Sequence, residues 1–211
     1  MSSTFQKVVT GIALWVSLNP MIVLADTANV PAQNQIESRI ALSGKSPNLI
    51  VDQDKFAEQL FATSTIKLGY TQEPVNNLYV FFDPTCINCQ GIKAQLASQS
   101  ELYAGNKVNV HIIPVGATSK GRMKAVHLYV DDAGSSDKTV SDIKALVNRN
   151  TELYTTSFDD IGTPLVVWQT ETGFEALKGF PSQSTNSAFL KIVAQKKGIA
   201  NWIMELSGVN K

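Results

Sequence analysis

Two runs of consecutive apolar residues dominate the pattern along the chain. Leu78-Tyr79-Val80-Phe81-Phe82 lies between Asn77 and Asp83-Pro84, and Leu165-Val166-Val167-Trp168 follows Thr163-Pro164. Short continuous runs bounded by turn residues predict central strands covered on both faces. Val108, Val110 and Ile112 alternate with Asn109 and His111, which predicts a third strand. Phe174 to Phe180 reads as a partner strand, with Thr172-Gly173 as the turn before it. Helical spacing appears elsewhere. From Asp52, a good N-cap, a helix is expected to about Lys67, with Phe56, Leu60 and Phe61 as its apolar stripe. Residues 87–103 place Ile92, Leu96 and Tyr103 on one side of a helix. Residues 119–158 read as helical, in two or three pieces broken around Gly134-Ser135. The stretch from Asn186 to Leu206 carries Phe189, Ile192, Val193, Ile199, Trp202, Ile203 and Leu206 at helical spacing, with Gly198 as a bend and Gly208 as its end. Strand, helix, strand, helices, hairpin, helix predicts an α/β sandwich with a mixed sheet.

The first 25 residues follow another logic. Lys7 is their only charge, and an apolar stretch from Val8 ends at Val23-Leu24-Ala25. This reads as a secretory signal peptide cleaved after Ala25. An uncleaved anchor is the alternative, although Ser17, Asn19 and Pro20 interrupt the apolar stretch. The mature chain is then expected in an oxidising exported space, compatible with a bacterial periplasm. Residues 26–51 read as a flexible or partly ordered N-terminal segment, with Gly44 and Pro47 breaking any helix. Residues 52–75 read as a linker-type helix and its connection, and residues 76–211 as the main domain with a helical insertion at about 119–158.

Composition narrows the function. The chain has 211 residues, 18 basic and 18 acidic, with 44% hydrophobic and 17% charged. That is enough chain for a sizeable core. Neutral charge without single-sign runs argues against a nucleic-acid partner. Two cysteines are too few to staple a scaffold, so apolar packing must hold the fold.

Both cysteines fall in one tetrapeptide, Cys86-Ile87-Asn88-Cys89. Chance placement of two cysteines would give that spacing roughly once in a hundred. The pair follows a predicted buried strand and is expected to open a helix. There, unsatisfied N–H groups and the helix dipole would favour a thiolate at Cys86, the attacking species in disulfide exchange. A helical turn would hold Cys89 within reach of it. Two other readings stay open. A purely structural disulfide across four residues would stabilise little by loop entropy. Structural zinc needs four ligands, and beyond the cysteines only the distant His111 and His127 offer themselves, so no metal site is expected. Ile161-Gly162-Thr163-Pro164 stands directly before a buried strand, where Pro164 is a candidate cis proline.

The segments Tyr79 to Cys89 and Gly162-Thr163-Pro164-Leu165-Val166-Val167 resemble a thioredoxin-like fold, and more narrowly the periplasmic disulfide isomerases DsbC and DsbG. The resemblance covers roughly residues 53–207. Cys89 and Pro164 are 75 positions apart, against roughly forty in a minimal thioredoxin, which leaves room for a helical insertion between the Cys-x-x-Cys helix and the proline loop. The resemblance implies that Cys86 is the nucleophile and Cys89 resolves the mixed disulfide. It implies that Thr163 and a cis Pro164 face the pair, with the Thr163 backbone binding an extended client segment as an added strand. Ile87-Asn88 differs from the Gly-Tyr or Pro-Tyr of the relatives, and this dipeptide tunes the redox potential. The buried acid that thioredoxins and DsbA place six residues before the first cysteine is Val80 here. Asp83 reads as a turn residue before Pro84. The insertion lacks a second disulfide. Too little chain precedes Tyr79 for the isomerases' dimerisation domain, so a monomer, or a dimer unlike that of DsbC, is expected.

Other polar residues read as structural. His111 and His127 are expected to be packed or at the surface, and Asp131-Asp132 to end a helix. Taken together, the chain is expected to be an exported thiol–disulfide oxidoreductase, needing no cofactor, that reduces, isomerises or forms disulfides in unfolded or misoxidised exported proteins. A membrane redox partner would reset it. The alternative is a thioredoxin-fold chaperone or assembly factor of an envelope or secretion machine, without turnover.

Overall fold

A computed structural model describes residues 46–63, 65–132 and 138–201, all within the unit Pro31–Lys211. The expected signal peptide, residues 26–45 of the N-terminal segment, the break at Gly134-Ser135, and Trp202, Ile203, Leu206 and Gly208 lie outside the described residues. In chain order the elements are α1 (Gln53–Phe61), β1 (Ile66–Leu68), β2 (Asn76–Phe82), a 3-10 turn (Ile87–Cys89), α2 (Ile92–Ser98), α3 (Ser100–Gly105), β3 (Val108–Pro114), α4 (Ser119–Asp132), α5 (Val140–Ser157), β4 (Leu165–Thr170), β5 (Gly173–Lys178) and α6 (Asn186–Ala194).

The five strands form one mixed sheet in the order β1-β3-β2-β4-β5. β2 is central, parallel to β3 and antiparallel to β4. Its unbroken apolar run is explained by burial on both faces. Leu78, Val80 and Phe82 point into one core layer with Val108, Val110, Ile112, Val166 and Trp168, under α2, α3 and α6. Tyr79 and Phe81 point into the other, with Phe56 and Leu60 of α1 and Leu153 and Tyr154 of α5. The register keeps this alternation, since Val80 pairs with Val166 and Phe81 with Leu165. α5 serves both layers, because Ile143 and Val147 join the first and Leu153 and Tyr154 the second. A capping box starts α5, with Thr139 and Asp142 bonding each other's backbone N–H.

Three expected helices are corrected. The helix from Asp52 ends at Phe61, not near Lys67. Thr63 Oγ1 donates to Leu60 O at 2.6 Å, and Ile66-Lys67-Leu68 pairs antiparallel with β3 as an edge strand. The β-branched Thr63, Thr65 and Ile66 suit that change. Residues 87–103 are not one helix but a 3-10 turn and two short helices, with Gln99 outside helical geometry between them (φ −112°, ψ 18°). The helix from Asn186 stops at Ala194, and helical backbone resumes at Ile199, directly after the expected bend at Gly198. Lys196 takes a left-handed conformation (φ 53°), Lys196 N donates to Val193 O, and Lys197 N donates to Ile192 O. That is a Schellman stop made without glycine. Trp168 Nε1 donates to Lys197 O at 2.9 Å and pins it to β4.

Two backbone groups on the outer edge of β5 are bonded by side chains. Phe174 N donates to Gln53 Oε1 and Ser46 Oγ donates to Ala176 O, both at 2.8 Å. Phe56 closes the layer behind this edge, fully buried and edge-on to Phe158 and Phe174 at 5.5 and 5.4 Å. Phe56→Ala is expected to cost about 3–5 kcal/mol of stability, read as a lower midpoint in urea unfolding. An unchanged midpoint would mean that α1 does not close this layer.

Candidate functional site

The site forms where β2 ends and β4 begins, because the antiparallel pairing of these strands sets Phe81 opposite Leu165. Beyond Phe81 the chain turns through Asp83-Pro84-Thr85 to Cys86, and ahead of Leu165 stands Thr163-Pro164. The Thr163–Pro164 peptide is cis. Cys86 Sγ donates to the Thr163 carbonyl at 2.9 Å. The expected cysteine pair and proline loop are therefore brought together across 77 positions of sequence.

Both cysteines are free thiols, and their settings differ. Cys86 is half-buried at the start of the 3-10 turn, its N–H donating to Asp83 O at 3.0 Å. Cys89 is fully buried one turn further in, among the first core layer. Burial pushes the Cys89 thiol up to about 12, the hydrogen bond to Cys86 adds to that, and the Asp83 backbone and Thr163 oppose it. One cysteine is half-buried and the other is held as a neutral thiol behind it. Ile87 is 78% exposed and Ile161, ahead of Thr163, is 44% exposed, so apolar side chains stand on both segments that carry the site. Asn88 is exposed.

The helix expected to begin at the pair is corrected here. Cys86 opens only a three-residue 3-10 turn, and α2 begins at Ile92 with seven residues. The N–H groups of Cys89 and Gln90 are already bonded to Cys86 O and Ile87 O. The helix dipole expected at Cys86 is therefore largely absent. In its place the thiol meets a backbone carbonyl.

Asp83 is a buried turn residue, as its position before Pro84 suggested. Its Oδ1 accepts from Thr85 N at 2.8 Å and Thr85 Oγ1 at 2.6 Å, and its Oδ2 accepts from Ala117 N at 3.2 Å. It thus ties the cysteine turn to the start of the insertion. Gly121 lies against this carboxylate, where an added Cβ would meet the two oxygens at 3.0 and 3.2 Å. Val80 is fully buried in the first layer.

Sequence reasoning missed Tyr154. Its ring packs on Phe81 at 5.5 Å. Burial raises its phenol pKa, and the charges of Asp83, Cys89, Cys86 and Asp160 add to the shift. Only the apolar spacing of α5 marked Tyr154 in the sequence, and there it looked like core. The histidines stay away from the sulfurs. His111 is bonded to Thr65 Oγ1 and Asn77 Oδ1, and it stacks on Tyr79 at 5.1 Å. Burial lowers its pKa, and Lys67 lowers it further. His127 and Asp131 are exposed on α4.

No known family's sequence profile matches the chain, and no curated protein matches it. Solved structures do. A periplasmic thioredoxin-like protein from Salmonella enterica serovar Typhimurium aligns with a TM-score of 0.50 at 17% identity, covering 68% of this chain and 98% of that one. The catalytic domain of Proteus mirabilis ScsC aligns with a TM-score of 0.51 at 17% identity, covering 68% and 97%.

In the folded, reduced protein, iodoacetamide at pH 8 is expected to modify Cys86 and spare Cys89, and in urea to modify both, as read by peptide mass spectrometry. Cys89 also carries a pH signature. Its folded pKa of about 12 lies above the 9.0 of a free thiol. The unfolded chain therefore releases this proton first. The stabilisation from burying Cys89 is full below pH 9 and is lost as pH rises toward 12. Urea stability measured against Cys89→Ala should converge over that window. The chain has a thioredoxin-like fold, a mixed α/β sheet flanked by helices.

Proposed function

We propose that this protein is an exported thiol–disulfide oxidoreductase that acts on protein disulfides through Cys86 and Cys89. The observation that supports this best is the half-buried thiol of Cys86 set against the Thr163 carbonyl, with Cys89 buried behind it. The thioredoxin-like fold around the pair agrees with it. The Cys86 thiolate attacks a client disulfide, the client S–S bond breaks, and the departing client sulfur takes up a proton. Cys89 then gives up its proton and attacks Cys86 Sγ, releasing the second client thiol and leaving a Cys86–Cys89 disulfide. Two electrons pass to the client, and an external dithiol must return them. Run backwards, the same steps oxidise a client. If a client thiol resolves the mixed disulfide instead, they isomerise it, as in the DsbC and DsbG isomerases. Ile87-Asn88 between the sulfurs sets which direction prevails.

An extended client segment would lie along Thr163, and the exposed Ile87 and Ile161 suit apolar residues of unfolded chains. The apolar leader of the sequence, and the periplasmic description of one structural neighbour, support work outside the cytoplasm.

Cys86→Ser is expected to lower reduction of insulin disulfides to the background rate of the added reductant. Cys89→Ser should accumulate a mixed disulfide with client, visible on non-reducing gels. Full reduction activity in Cys86→Ser would refute the catalytic assignment, and retained client binding without turnover in the wild type would favour a chaperone.

A further inference from the structure

We infer that Asn48 and Asp159 are positioning residues for the thiol site, acting through the segment that delivers Thr163 to Cys86. Residues 46–50 run as a strap against the end of α5. Ile50 N donates to Ser157 O at 2.9 Å, Leu49 forms a β-bridge with Phe158, and Asp159 N donates to Asn48 O at 3.1 Å. The Asp159 carboxylate accepts from Asn48 N and from Asn48 Nδ2, both at 2.8 Å. The anchor is apolar, since Leu49 packs against the layer that buries Phe158.

The hold continues toward the sulfur. Lys178 Nζ donates to Asp160 Oδ1 at 2.8 Å, and its methylene chain lies over Gly162, where an added Cβ would come within 2.4 Å of Lys178 Cε. Pro164 O accepts from Gly179 N at 2.7 Å. Between these points the Thr163 carbonyl meets Cys86. Nearly every residue from Ser157 to Pro164 is thus held at a named point, and the first three points belong to the strap. The Asn48–Asp159 bonds are exposed, so each is worth little as stability. Their effect is on register. The thiol contact uses the Cys86 proton, which must leave before the sulfur attacks. Loosening the strap releases Thr163 from that contact and frees the sulfur to react.

The inference deepens the oxidoreductase reading, but its test needs only the thiol. In the full chain, Asp159→Ala is expected to raise the rate of Cys86 alkylation by iodoacetamide at pH 7 about fivefold. Asn48→Ala should act in the same direction, and Asp159→Asn, which keeps one acceptor oxygen, should restore most of the slow rate. Thr139→Ala, at the far end of α5, is the control for stability. It should lower the thermal midpoint and leave the alkylation rate at the wild-type value. Wild-type alkylation rates in Asp159→Ala, or equal acceleration by Thr139→Ala, would overturn the inference. A wild-type protein that fails to reduce disulfides would end the oxidoreductase reading, while the ratio of alkylation rates would still decide the role of the strap.

Discussion

The structure depends on the antiparallel pairing of β2 with β4. That register sets the end of one buried strand beside the start of another, and both loops at that junction carry the site. Cys86 follows β2 and Thr163 precedes β4, so the sulfur and the carbonyl meet because the strands do. The apolar alternation that locks the pairing is the same one that fills two core layers. A one-residue slip would exchange the faces of Val80 and Phe81 and also carry Thr163 away from Cys86.

The two sulfurs gain their difference from depth. Cys89 sits in the layer of Leu78, Val80 and Phe82, and Cys86 sits at the lip of the turn. Desolvation keeps the inner thiol neutral, and under the proposed function the first exchange then falls to the outer one. This division follows from packing and needs no charged neighbour. Val80, six residues ahead of Cys86, is a core residue, and Tyr154 of α5 packs on the neighbouring Phe81 from the other layer.

Much of this was legible in the sequence, and the exceptions share a cause. Leu78–Phe82 and Leu165–Trp168 declared themselves as central strands, since only strands covered on both sides tolerate such runs. Cys-x-x-Cys marked the site, because the chain has only two cysteines and both fall in one tetrapeptide, whereas Gly-Thr-Pro spoke only through its place before a buried strand. Ile66–Leu68 was hidden, as three residues are too few to show a period and gain strand geometry only from β3. The stop after Ala194 was hidden too, because Lys196 takes a conformation usually left to glycine, and the Trp168 bond that holds the stop comes from another strand. Tyr154, Asn48 and Asp159 carry no local signal. Their contacts join segments far apart in sequence, Tyr154 with Phe81 and Asn48 with Asp159, which periodicity does not encode.

The polar cover over β5 reaches beyond local satisfaction. A bare rim of amide and carbonyl groups would let one molecule zip onto the next, or let an unfolding client template on it and never leave. Gln53 and Ser46 take two of the backbone groups on that rim, Phe174 N and Ala176 O, and so interrupt the row on which another strand would have to pair. Under the proposed function, a client held only by the few backbone groups at Thr163 would depart easily, while the interrupted β5 rim would offer it no long strand to settle on.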